Sequence, residues 1–86
     1  MQRVWVQSPS YETAVSLLVE RRQSLGLSQR DLAAKMGKPY SFVAKVETKG
    51  RRLDFVEFVA YARALGLAPS DLIDEVANAV GDDIIF

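Results

Sequence analysis

Four of the five glycines in this chain stand directly after stretches whose apolar residues recur three and four positions apart. That spacing places apolar side chains on one face of a helix, and a glycine just past the last turn stops it. The chain is thereby divided into five helix-length segments. Ser10 precedes the first, residues 11–25, where Val15, Leu18, Val19 and Arg22 share a face before Gly26. Ser28 opens a shorter second segment with Asp31 three residues on, so that the serine caps a free amide and the acid favours the positive helix end. Its inner stripe is Leu32, Ala33 and Met36, and Gly37 ends it. A third covers about residues 39–48, since proline suits a first turn, with Val43 and Val46 interior. Asp54, again with a carboxylate three residues later at Glu57, starts the fourth, in which Phe55, Phe58, Val59, Ala62 and Leu65 line one face up to Gly66. The fifth begins near Pro69, turns Leu72, Ile73, Val76, Ala77 and Val80 inward, and stops by Gly81. The predicted fold class is all-α, a compact bundle of five helices. A single domain spans 1–86, with its core at about 11–80 and residues 1–9 and 81–86 as terminal extensions that can hold short extended segments.

Neither Cys nor His occurs. A disulfide framework, a thiolate or imidazole metal site and a Cys/His catalytic pair are therefore excluded. No glycine-rich phosphate loop or nucleophile–base pair is visible, and Asp54 and Glu57 are explained as helix caps. The expectation is a binding protein that is not an enzyme and needs no cofactor or metal. No run of about 18 apolar residues exists, so no membrane span is expected. The start has no long apolar stretch before Pro9, which speaks against a secretory leader and fits the cytoplasm.

Eleven bases balance eleven acids, which on its face counts against a polyanionic partner. Position reverses that inference. Residues 1–53 hold ten bases and four acids, a surplus of six positive charges, whereas residues 54–86 hold one base and seven acids. Such a field can turn a basic surface towards nucleic acid while the acidic remainder faces away.

Residues 28–50 carry the functional signal. They read as helix, tight turn, helix, with Gly37 where two short helices meet steeply and positive φ is needed. With Val43 and Val46 facing inward, the opposite side of the third helix carries Lys38, Ser41 and Lys45, with Lys49 just beyond its end. A small, cationic helix face suits phosphates and base edges in a major groove, although a solvated lysine face has the same pattern.

The run Arg22, Gly26, Leu27, Ser28, Gln29, Leu32, Ala33, Met36 and Gly37, followed by Val43, Val46, Glu47 and Gly50, resembles the lambda-repressor/Cro-like (XRE-type) helix-turn-helix family. Phe58, Val59, Ala62, Leu65, Gly66 and Leu67 match its fourth helix and following turn, so the resemblance covers about residues 14–75. It implies a five-helix bundle whose third helix enters the DNA major groove, in a regulator, commonly a repressor, that binds a palindromic operator as a homodimer. Members also include antitoxins. Carried onto this sequence, the family pattern puts Tyr40, Ser41 and Lys45 at base-contacting positions. It puts Gln29 at a phosphate anchor that also braces the recognition helix, and Thr48, Lys49 and Arg51 where the following loop meets the backbone. Arg22 and Glu47 fall where the family has a structural ion pair between its first and third helices.

Among the remaining residues, Lys38 and Arg52 are expected at phosphate, Arg52 because it directly follows the recognition helix. Tyr40 can equally be a surface tyrosine. Phe42 is open between packing near Leu53, a thymine-methyl contact and a partner site. Arg21 and Arg30 divide between phosphate and solvent, and the acids of the last helix read as a solvated face. Dimerisation is expected from Val4, Trp5, Val6, Val76, Val80, Ile84, Ile85 and Phe86, whose terminal members can alternatively fold back on their own domain. The function expected is sequence-specific binding of double-stranded DNA by a small repressor. The alternative is a protein-interaction module such as an antitoxin or adaptor.

Overall fold

The computed structural model describes residues 8–48 and 50–86. They form α1 (Pro9–Ser24), α2 (Gln29–Met36), α3 (Tyr40–Glu47), α4 (Phe55–Ala64) and α5 (Pro69–Val80). Among the described residues there is no strand, and no helix is long and apolar enough to cross a membrane. α1 packs on α5 and α3, α2 on α3 and α4, and α4 on α5. Their shared core is built from Leu18, Leu32, Ala33, Val43, Tyr61, Ala62, Leu65 and Leu72.

Two helix starts follow the serine and aspartate spacing directly. Ser28 Oγ accepts from the Asp31 amide at 3.0 Å while Asp31 accepts from the Ser28 amide at 2.9 Å. Asp54 and Glu57 make the same reciprocal pair at α4, at 2.7 and 3.0 Å. Each box satisfies two donors that a helix start otherwise leaves open.

α1 begins two residues earlier than expected. Ser8, not Ser10, caps it by accepting from the Tyr11 amide, because Pro9 is preset for the first helical position and carries no N–H to satisfy. Ser10 is thereby left free to hold the C-terminal tail. Its hydroxyl accepts from the Ile85 amide at 2.8 Å, and its own amide donates to the Ile85 carbonyl at 3.3 Å. The tail is tied back to the start of α1 rather than forming a strand. Pro39 lies one place outside α3, in extended conformation, and Thr48 one place beyond its end.

The apolar face of α4 is also rotated from its expected setting. Phe55 is 93% exposed, whereas Tyr61 is fully buried. Phe55 is the first residue of α4, directly after the Asp54 cap, and it edges the open groove beside α1 instead of the core. The buried stripe runs instead through Tyr61, Ala62 and Leu65, with Phe58 packed at its edge. In α5 only Leu72 is fully enclosed; Val76 and Val80 are half-buried, and Ile73 and Ala77 are exposed. An open apolar groove of about 560 Å³ separates α1 from the ends of α4 and α5, with Phe55, Val59 and Ile73 in its walls.

Candidate nucleic-acid interface

α2 and α3 are joined by a turn only two residues wider than Gly37. The Lys38 amide donates to the Ala33 carbonyl at 2.9 Å and the Gly37 amide to Ala34 at 3.1 Å, which closes α2 in a Schellman arrangement. Gly37 stands at φ +70°, a backbone setting that any side chain would strain. The turn directs α3 across α2, and Val43 and Val46 pin it there with no exposed surface.

A buried charge network holds α3 from behind. Arg22 donates through Nε to Glu47 Oε2 at 2.6 Å and through Nη2 to Oε1 at 2.9 Å. Its Nη1 donates to the Leu27 carbonyl at 2.7 Å, and Gln29 Nε2 donates to Glu47 Oε1 at 2.8 Å. The two ionic side chains are 10% and 5% exposed. One carboxylate thus joins α1, α2 and α3 through charge-assisted bonds. The Tyr61 hydroxyl is enclosed nearby: burial raises its pKa, and the Glu47 carboxylate adds to that rise. Gln29, expected at phosphate and as a brace, spends one amide hydrogen on the brace.

On the outer side of α3, Tyr40, Ser41 and Lys45 are exposed. Arg30 lies over the Tyr40 ring at 4.5 Å, which brings a base from α2 to the start of α3. Phe42 packs against the core with its inner edge and meets cations with its ring: Lys38 Nζ is 5.2 Å and Arg51 Cζ 4.7 Å from the centroid. Cations held over aromatic faces lose freedom without losing charge. Thr48 turns its hydroxyl inward to the Ala44 carbonyl at 2.9 Å, while the Gly50 amide closes on the Lys45 carbonyl at 2.8 Å. Lys49 lies outside the described residues, as do Val4, Trp5 and Val6.

Arg51 and Arg52 take different places. Arg51 donates from Nη1 and Nη2 to the two oxygens of Glu57, at 3.0 and 3.2 Å. Arg52 turns towards α1, stacked 4.5 Å over the Tyr11 ring with Nη2 reaching Ser8 Oγ at 3.5 Å. The loop is also fixed through its backbone, because Tyr11 Oη donates to the Arg51 carbonyl and accepts from the Leu53 amide. Arg52 is therefore half-buried beside the start of α1.

The charge division along the chain is only partly a division in space. Arg51–Glu57 and Arg21–Glu75 each pair a base of the first half with an acid of the second. What remains around α2 and α3 is a band of exposed Arg30, Lys35, Lys38 and Lys45. Sequence reading overlooked Glu57 as the partner of Arg51, since six residues across a helix start is no standard pairing distance. The Lys38–Phe42 contact had a signal, a separation of four residues.

Residues 18–72 match the helix-turn-helix family model. An XRE-family like protein from Pseudomonas syringae pv. tomato str. DC3000 is 40% identical over 78% of this chain and 82% of its own, with a TM-score of 0.73. The restriction-modification controller protein C.AhdI from Aeromonas hydrophila is 34% identical over 72% of this chain and 94% of its own, at TM-score 0.66. The controller protein C.Esp1396I shares the fold at TM-score 0.79 over 86% of this chain and 96% of its own, with 16% identity. No curated protein matches this chain. With this match, these neighbours and a helix-turn-helix braced by the Arg22–Glu47 pair, the chain belongs to the XRE-type helix-turn-helix family of DNA-binding transcription regulators.

Proposed function

We propose that this protein is a sequence-specific repressor that lays α3 in the major groove of a palindromic operator. The observation that carries the reading is the two-sidedness of α3. Val43 and Val46 are fully buried, while Ser41 and Lys45 are exposed on the other side, and the cations Lys38 and Arg51 are held over the ring of Phe42. Lys45 and Ser41 reach base edges, Lys45 to guanine, and Tyr40 flanks them. Lys38, Lys49, Arg51 and the second amide hydrogen of Gln29 hold phosphates, with Thr48 at the same end of the helix. Arg52 contributes field from the side of α1.

The protein acts as a cytoplasmic homodimer, in which two recognition helices stand about 34 Å apart. Support comes from α5 and the tail, where Val76 and Val80 are half-buried and Ile73, Ile84, Ile85 and Phe86 exposed. A second copy covering that surface makes a two-fold, self-complementary contact. Sedimentation that gives a monomer at tens of micromolar removes this part of the reading. A protein-interaction module remains the second reading, favoured by Phe55 and Val56, which are 93% and 77% exposed at one corner of the molecule.

Binding to duplex pools of random sequence, followed by selection, tests the main reading. Lys45→Ala is expected to erode preference among selected sequences by about 1–3 kcal/mol while leaving random-sequence binding nearly intact. A protein that binds no duplex at low salt overturns it.

A further inference from the structure

We propose that Glu57 is a positioning residue for DNA binding, holding Arg51 beside the recognition helix with its guanidinium turned for a phosphate. The inference rests on the reading of Arg51 as a backbone contact and adds the group that aims it. A flexible arginine at a loop end loses its rotamer freedom on binding, and that loss weakens the complex unless it is incurred beforehand. Here it is incurred within the free protein. Glu57 takes one hydrogen from each terminal nitrogen of Arg51, at 3.0 and 3.2 Å, and the Phe42 ring backs the guanidinium plane at 4.7 Å. The Arg51 carbonyl is fixed as well, by Tyr11.

Glu57 itself cannot swing, because Oε1 also accepts from the Asp54 amide in the capping box of α4. The carboxylate is 17% exposed and the arginine 39%, so the anchor is inside and the cation outside. A guanidinium has five N–H donors, and this fork uses two. The others lie on the side of Nε and the outer hydrogens of the terminal nitrogens, an arrangement that suits a phosphate oxygen pair. A carboxylate so close also opposes the field of the cation. The double clamp by Glu57 and Phe42 favours positioning as the larger effect.

Glu57→Gln separates the two roles, since glutamine keeps the capping box but gives up the charged fork. Binding of the full chain to a labelled random-sequence duplex is measured by anisotropy over a salt series for wild type, Glu57→Gln, Arg51→Ala and the double variant. Arg51→Ala is expected to weaken binding and to reduce the log–log salt slope by about 0.9. Glu57→Gln is expected to weaken binding about 2- to 10-fold with the slope unchanged, and to have no weakening effect once Arg51 is gone. If Arg51→Ala changes neither affinity nor slope, the backbone reading of Arg51 fails and the proposal with it. If Arg51→Ala behaves as expected but Glu57→Gln binds as tightly as wild type or tighter, or weakens both backgrounds equally, the positioning role alone is overturned.

Discussion

Two arginine–carboxylate forks lie on opposite sides of α3, and they differ in almost everything except chemistry. The inner one, Arg22–Glu47, is nearly sealed, with side chains 10% and 5% exposed, and adds bonds from Gln29 and to Leu27. The outer one, Arg51–Glu57, has its arginine 39% exposed and its acid shared with a helix cap. An ion pair removed from water has a large desolvation cost that only a complete set of partners offsets, so losing one partner is severe. A half-exposed pair is screened and contributes little to stability. With Arg51 read as proposed above, the difference separates two jobs: the inner fork holds α3 in place, and the outer fork sets what charge is presented beside it.

The largest expected effect follows from removing the inner acid. Glu47→Ala leaves Arg22 buried without its counter-charge and takes the acceptor from Gln29. Unfolding in urea should show a loss of about 3–5 kcal/mol, a large part of what a domain of this size has. A loss below about 1 kcal/mol would show that water reaches the pair and would erase the contrast between the forks.

Next in size is the cap that supports the outer fork. Asp54→Ala removes the acceptor for the Glu57 amide and should cost about 1 kcal/mol. Ser28→Ala, at the equivalent place in α2, should cost a similar amount. If Asp54→Ala also releases Arg51, it will weaken duplex binding where Ser28→Ala does not.

The two forks also differ in how far each could be read from the chain. Both capping boxes follow from a serine or aspartate with an acid three residues on, which is local chemistry. The inner pair emerged from family resemblance, and its residues already lay near apolar helix faces. The outer pair was invisible for a physical reason: it joins a loop residue to the first turn of a helix, so its geometry depends on how the loop between Gly50 and Asp54 folds. That loop is set by Tyr11 from α1, a long-range contact no periodicity encodes. Phe55 shows the same limit in reverse. Its spacing is correct for the apolar face of α4, but in the first turn it borders an open groove, and Tyr61 takes the interior place. Likewise Arg52, adjacent to Arg51 in sequence, faces α1 because successive loop residues point to different sides.

Acid sharpens the comparison further. The Arg51 guanidinium, with help from the Asp54 amide, holds the Glu57 carboxyl below the usual carboxylate range. A folded-state pKa depressed in this way contributes stability that is present above the unfolded value, about 4.3, and is lost as pH falls through the folded one. Asp31, lowered by its bonds with Ser28, acts in the same direction. Glu57→Gln should therefore cost no more than about 1 kcal/mol at neutral pH. It should also make the decline in stability below about pH 4 shallower than in wild type. A decline identical to that of wild type would mean the outer fork is not maintained in solution.

The smallest expected effect comes from a third pair that has short geometry but, among the described residues, neither deep burial nor further side-chain partners. Arg21 Nε meets Glu75 Oε1 between α1 and α5, with the arginine 44% and the acid 33% exposed. Distance alone would rank it with Arg22–Glu47. Exposure ranks it last, because both long side chains give up freedom to hold a contact that water and salt weaken. Glu75→Gln should alter unfolding stability by less than about 0.5 kcal/mol and leave duplex affinity unchanged to within the effect of one remote charge. A loss approaching that of Glu47→Ala would show that the α1–α5 contact depends on this pair, and that bond length rather than enclosure sorts the three.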